Sequence, residues 1–145
     1  MQIPKEISGY FNNTNFQNYP KVTIPQQFQD ERGLILNLAD GSLGDVALII
    51  SNPNTFRASH VHKEDWHLCY LLSGKIVYEW KDPDELGAVH NEEINVGEMI
   101  YTPPGTPHRM YFTEESQFIT ISKMSRISDN YEADTFRLPS NLFVK

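Results

Sequence analysis

Short apolar runs, each cut off by turn-forming residues, constrain this chain more than any other feature. Residues 33–38 (GLILNL), 46–50 (VALII), 68–72 (LCYLL), 75–80 (KIVYEW), 99–102 (MIYT) and 118–122 (FITIS) are bounded by Gly, Pro, Asn, Asp or Ser. Runs of this length, rich in β-branched and aromatic side chains, read as strands. Nine prolines and eight glycines are spread along 145 residues. Few windows are then long enough for a helix, in whose interior a proline costs about 3 kcal/mol. The pattern predicts an all-β chain, with at most a short helical turn within residues 6–18 or near 129–134. Residues 82–93 (DPDELGAVHNEE) form a polar excursion that reads as a hairpin loop. Strands this short and this regular imply a sandwich or a barrel with a shared interior.

The length fits a single domain over 1–145, with a core barrel at about 30–125 between N- and C-terminal extensions. Cys69 is the only cysteine and has no partner for an intramolecular disulfide. No apolar run approaches the ~20 residues needed to span a bilayer, so no membrane partner is expected. The first residues, MQIPKEISGY, lack the basic start and apolar stretch of a secretory signal, which points to a cytoplasmic protein. A formal charge of -7 argues against nucleic acid as a partner, because phosphate backbones are bound by clustered Lys and Arg.

The histidines carry the chemistry. His60 and His62 are two residues apart, so on a strand they share one face, with Cα atoms ~6–7 Å apart. Imidazoles so placed can converge on one ion at the ~2.0–2.1 Å of metal–nitrogen bonds. His67 opens the next apolar run and can be folded back beside them by the turn at 63–66. His108 follows a tight proline-rich turn at 103–107 (PPGTP), which stiffens its approach. His90 lies in the polar excursion and is assigned no role.

Residues 60–74 (HVHKEDWHLCYLLSG) resemble the first motif of the cupin superfamily, in which His-x-His is followed by a third ligand and then by glycine. Residues 97–108 (GEMIYTPPGTPH) resemble the second motif, with Gly, Pro-x-Gly and a final His. Two ordered motifs in one all-β chain form a joint signal. The resemblance implies a double-stranded β-helix, or jelly-roll barrel, holding one divalent transition metal on His60, His62, His67 and His108. The third ligand is usually glutamate in this superfamily, and His67 stands there instead. Four neutral nitrogens suit Zn, Fe, Ni, Co or Cu, with Mn a further candidate, better than Mg or Ca. A metal-free cupin using the same histidines, and a closed structural zinc site, are the alternatives.

Asp30-Glu31-Arg32-Gly33 followed by LILNL is similar to a segment of the deoxysugar-nucleotide epimerases and ketoisomerases and of the cupin domain in capsular-polysaccharide enzymes. Residues 131–134 (YEAD) are similar to the tails of some members. An ordinary polar turn at Gly33 explains the first segment equally well. The resemblance implies a metal-assisted isomerase or epimerase of carbohydrate metabolism, acting on a carbonyl-bearing sugar or sugar nucleotide. The metal would be a Lewis acid on the carbonyl oxygen while a base takes the neighbouring proton. Glu64, Asp65 and Tyr101 lie near the motifs as candidate bases, together with any histidine not bound to the metal. Strand alternation puts Phe56, Cys69, Leu71, Met110 and Phe112 on the ligand side as substrate-pocket candidates together with Tyr101, and turns Arg57 and Arg109 away from it. An Fe(II)-dependent dioxygenase and a non-catalytic small-ligand-binding protein are the competing functions. Paired barrels are common in the family, so a homodimer is expected, with residues 19–25 (YPKVTIP) able to add a strand to a neighbour.

Overall fold

The computed structural model describes residues 2–82 and 87–143, and the apolar runs of the sequence are strands. In chain order these are β1 (Lys21–Val22), β2 (Gln26–Asp30), β3 (Gly33–Asn37), β4 (Asp45–Ser51), β5 (Thr55–His62) and β6 (His67–Ser73). There follow β7 (Ile76–Trp80), β8 (His90–Ile94), β9 (Met99–Thr102), β10 (His108–Phe112), β11 (Ser116–Ser122) and β12 (Thr135–Arg137). Both expected helical turns occur: a 3-10 turn at Asn13–Phe16, capped by the Asn12 side chain, and α1 (Asp129–Ala133), capped by Ser128.

One sheet has the order β1-β9-β6-β11-β4 and the other β12-β5-β10-β7-β8, with every pairing antiparallel. The chain thus alternates between two facing sheets, the jelly-roll arrangement expected of it. Inward positions recur every second residue, as the buried-and-intermediate alternation of β7 and β10 records. Cys69, Leu71, Ile100 and Phe118 from the first sheet meet Ile76, Tyr78, Met110 and Phe112 from the second in one apolar cluster. The Phe112 and Phe118 rings stack at 5.6 Å, and the Tyr78 hydroxyl reaches Thr102 Oγ1 of the opposite sheet at 2.8 Å.

A second cluster lies outside the first sheet, where Ile7, Phe11, Phe16, Val22 and Ile24 cover Leu68, Met99 and Tyr101. This N-terminal cover explains why β9 is buried on both faces. It ends before β4, whose outward Val46, Leu48 and Ile50 are each more than half exposed. The β2–β3 hairpin is a separate two-stranded sheet, held to the N-terminal segment by Leu36 and the Tyr10 hydroxyl and displaying Phe28, Leu34 and Ile35 to a similar degree.

Several expectations change here. Part of the segment expected to augment a neighbouring chain, Lys21–Val22, pairs with β9 of its own chain. The polar excursion is partly strand: β8 begins at His90, opposite Trp80, while residues 83–86 lie outside the described residues. Asp30–Gly33 is the turn of the β2–β3 hairpin, where Arg32 bonds back to Asp30 at 2.6 Å and Gly33 takes a φ of 135°. That is the ordinary polar-turn reading of the segment. Gly74, the last residue of the first motif, has a φ of 86°, and a Cβ there would collide with Ser116 and the Glu115 carbonyl.

A β-bulge in β5 matters most for the site. His60 pairs with His108, but Arg109 pairs with Ala58, leaving Ser59 as an extra residue. Ala58 and Ser59 both sit in the left-handed region, at φ 68° and 58°, where a non-glycine residue costs on the order of 1 kcal/mol. The inserted residue reverses the side-chain alternation on its N-terminal side.

Candidate metal centre

The two sheets bring the four motif histidines to one end of their shared interior. His60 and His62 come from the end of β5, His67 from the start of β6 and His108 from the start of β10. Ring centroids lie 4.3 Å apart for His60–His62, 4.7 Å for His60–His108 and 4.8 Å for His62–His67, the last pair stacked. His60, His62 and His108 each offer a nitrogen within 4.8 Å of the others. His67 forms a second such group with His62 and Asp65 rather than with His60 and His108.

Three of these rings have one nitrogen anchored by the protein. His108 Nδ1–H donates to the Thr106 carbonyl at 2.9 Å, so its Nε2 carries the lone pair. Thr135 Oγ1 spends its proton on the Tyr131 carbonyl at 2.8 Å and so accepts from His62 Nδ1–H at 3.3 Å. His62 Nε2 is left buried with no hydrogen-bond partner among the described residues. His67 Nε2–H donates to Asp65 Oδ2 at 2.9 Å, which leaves Nδ1 free. An anchored far nitrogen and a free near one is the arrangement that fixes a metal-ligating imidazole. An unsatisfied buried acceptor costs about 1–3 kcal/mol unless something occupies it. The cluster can therefore hold a metal ion, and its nitrogen donors suit a transition metal.

Electrostatics agree with the packing. Burial first, and the neighbouring His67 second, push His62 down to about 4. Burial likewise takes His108 down to about 3 despite its Thr106 bond, and drives His60 far below its ordinary value. All three rings are neutral at pH 7, the form a metal requires.

Beneath the histidines a carboxylate network sets the turn between β5 and β6. Asp134 accepts from the Glu64 and Asp65 backbone amides, each at 2.9 Å at its shortest, and Asp65 Oδ1 accepts from the Met124 amide at 3.1 Å. The residues after α1 thus hold both His62, through Thr135, and the turn that delivers His67. Neither Asp134 nor Thr135 stood out in the sequence beyond the YEAD resemblance, because their partners lie about 70 positions away.

A cavity of about 200 Å3 opens beside the cluster, with His60, His67 and His108 in its wall. Of the expected substrate-pocket residues, Cys69 and Met110 line it. Leu71 and Phe112 are instead fully buried in the core between the sheets. Tyr101 faces the other way, packing edge-on against Phe16 at 5.1 Å under the N-terminal cover. Phe56 is on the outer face, its ring 4.7 Å from Tyr111. Arg57, expected to point outward, lines the cavity. Both reversals follow from the bulge at Ala58–Ser59. Arg109 does point away, pairing with Glu79 at 2.6 Å and stacking on Phe56 and Phe143. Of the candidate bases, Asp65 touches the cluster through His67, while Glu64 and Tyr101 line a separate recess with Trp66. His90 pairs with Asp82 and stacks on Trp80, apart from the four.

A family model described as the cupin domain matches residues 47–122, and with both histidine motifs inside that span the chain belongs to this family. Several solved structures share the fold. A double mutant of the QdtA 3,4-ketoisomerase from Thermoanaerobacterium thermosaccharolyticum, bound to TDP, superposes with a TM-score of 0.60 at 24% identity, covering 77% of this chain and 82% of the other. The dTDP-4-dehydrorhamnose 3,5-epimerase from Sulfolobus tokodaii gives a TM-score of 0.64 at 19% identity, covering 81% and 76%. The capsular polysaccharide assembling protein CapF from Staphylococcus aureus gives 0.58 at 21% identity, covering 90% of this chain but 37% of that one. No curated protein matches the chain.

Proposed function

We propose that this cupin is a metal-assisted isomerase or epimerase that acts on the carbonyl of a sugar or sugar nucleotide, with its metal on His60, His62 and His108. The orphaned Nε2 of His62, buried between two other histidines, is the observation that carries the reading. The activities named for two structural neighbours, a ketoisomerase and an epimerase, support the substrate class. When bound, the metal would supply a Lewis acid for the carbonyl oxygen.

Three histidines suffice for a catalytic metal that keeps an open position. His67, expected from the motif as the fourth donor, groups with His62 and Asp65 rather than with His60 and His108, so it is left outside the ligand set proposed here. In this reading it is the base: Nδ1 takes the proton from the carbon beside the carbonyl, and Asp65 steadies the imidazolium at Nε2. Return of that proton to the former carbonyl carbon, with the neighbouring hydroxyl proton passing to the former carbonyl oxygen, gives a ketoisomer, whereas an epimer requires a second donor on the opposite face of the same carbon. Incubation of the metal-loaded protein with keto-sugar nucleotides in heavy water should place deuterium beside the carbonyl without oxygen uptake. Consumption of O2 with loss of substrate would replace this reading with an iron dioxygenase. Silence across the panel would favour a binding protein.

The protein is further proposed to act as a homodimer. Val46, Leu48 and Ile50 on the outer face of β4, and Phe28, Leu34 and Ile35 on the hairpin, give it exposed apolar area to cover. Sedimentation velocity should find twice the 16.7 kDa of one chain, and Leu48→Glu should shift it to the monomer. A monomeric parent protein would end the proposal.

A further inference from the structure

The cavity beside the histidines contradicts the charge of the chain that encloses it. The protein carries a formal charge of -7, yet three of its five arginines, Arg57, Arg126 and Arg137, line this one cavity. No Asp or Glu is among the described residues of its wall. The three are not equivalent. Arg126 is already committed, with Nε 3.0 Å from Asp45 and Nη2 2.9 Å from Thr120 Oγ1. Among the described residues, Arg57 is held by neutral oxygens: Nε donates to Ser51 Oγ at 2.6 Å and Nη2 to the Ile50 carbonyl at 3.1 Å. These bonds fix the guanidinium without cancelling its charge. Arg137 has Glu132 at 3.8 Å, with both side chains more than 70% exposed, a contact that solvent screens.

The backbone adds an independent observation. Arg57 reaches the cavity only because Ala58 and Ser59 adopt the left-handed conformation. On a regular strand Phe56 would stand there and Arg57 would face solvent. Strain retained beside a cluster of buried histidines is strain with a consequence for the site. What it delivers is a pinned, uncompensated guanidinium, a group that matches carboxylate and phosphate oxygens in pairs.

We propose that Arg57 and Arg137 form an oxyanion subsite in the metal cavity, receiving a carboxylate or phosphate carried by the reacting sugar unit itself. The inference rests on the cavity being the sugar site described above. Its volume of about 200 Å3 falls below the ~300–1,000 Å3 of pockets that enclose drug-sized ligands. It suits one sugar-sized unit, so arginines in its wall meet the unit whose carbonyl reacts. A nucleotide, where present, lies outside.

Calorimetric titration of the metal-loaded protein with D-glucuronate, D-glucose 6-phosphate, neutral D-glucose and TDP tests this. One or both sugar anions should bind at least about tenfold more tightly than glucose, as expected of charge-assisted bonds. Which of the two binds better identifies carboxylate or phosphate as the source. Arg57→Gln and Arg137→Gln should each weaken that anion at least about tenfold, while Arg32→Gln in the distant hairpin should not, and metal content should be equal in all. Arg57 and Arg137 are both exposed, and the Arg137 variant keeps the test valid even if loss of the Ser51 bond prevents Arg57→Gln from folding. Equal binding of glucose and the anions, no detectable anion binding, or insensitivity to both variants overturns the subsite. So does tight binding of TDP alone that depends on Arg57, because the arginines would then serve the nucleotide. The same titration on chelator-treated protein separates the two readings. Arginine-dependent anion binding in a protein that takes up no metal upholds the subsite and ends the metal proposal. Metal uptake without anion binding does the reverse.

Discussion

Alanine at His62 or His108 is expected to strip the metal from protein that otherwise purifies, untagged, with close to one equivalent per chain. Loss of an outer partner of a metal-bound histidine typically weakens affinity 10–100-fold, so loss of the ligand itself should exceed about 100-fold. His62 is the stronger test. Its Nε2 is buried without a partner, and its Nδ1 is oriented by Thr135, so the ring has little else to do. His67→Leu should weaken binding far less, since His60, His62 and His108 group without it. His90→Ala should match the parent, because that ring pairs with Asp82 and stacks on Trp80 instead. Elemental analysis of the four variants reads all of this. Ordered, metal-free parent protein, or equal loss in every variant, would mean that these histidines do not converge on an ion.

Acid should unfold the metal-free protein unusually early. His62 is pushed from 6.5 down to about 4 and His108 down to about 3 in the folded state, chiefly by burial, whereas in the unfolded chain both return to about 6.5. Below pH 6.5 the unfolded chain therefore binds more protons. Stability is complete above that value and falls as the pH drops towards the folded values. From pH 7 to 4 the loss from His62 alone is about 3 kcal/mol, a large part of the ~5–15 kcal/mol of a typical domain. Thermal melts of chelator-treated protein should show a midpoint that is level above pH 7 and falls steeply between 6 and 4. Metal-loaded protein should resist over the same range, because protons must then compete with the ion. A midpoint indifferent to pH in the metal-free protein would show that the rings are not buried as neutral imidazoles.

Much of the architecture was legible because strands β3, β4, β6, β7, β9 and β11 announce themselves through β-branched and aromatic runs cut by turn residues. β5 and β10 do not, since the side chains they turn inward include histidines and an arginine. Their existence followed from motif spacing, not from apolarity. The histidine cluster was legible for the same reason, although the tie between His67 and Asp65 was not, because a fixed spacing cannot say which nitrogen meets which partner. Simple alternation failed at Tyr101, where the N-terminal cover buries the outward face of β9 as fully as the inward one. It failed again at Phe56 and Arg57. The contributions of Asp134, Thr135 and Arg137 come from a segment that follows every other strand in the chain and pairs back with β5 across about 70 positions. No local pattern announces such a pairing.

The bulge in β5 behaves towards its side chains as a frameshift does towards codons. Every residue from Thr55 to Arg57 is displaced by one step relative to His60, while the residues themselves are unchanged. The character of the cavity wall is therefore encoded in a count, the number of residues between Phe56 and His60, as much as in any identity. A chain with one residue fewer would present an aromatic ring where this one presents a guanidinium, and would keep every histidine of the cluster in place. Related barrels with identical metal motifs can thus differ in the charge of the molecule they admit through a change of length that a comparison of motifs alone does not register.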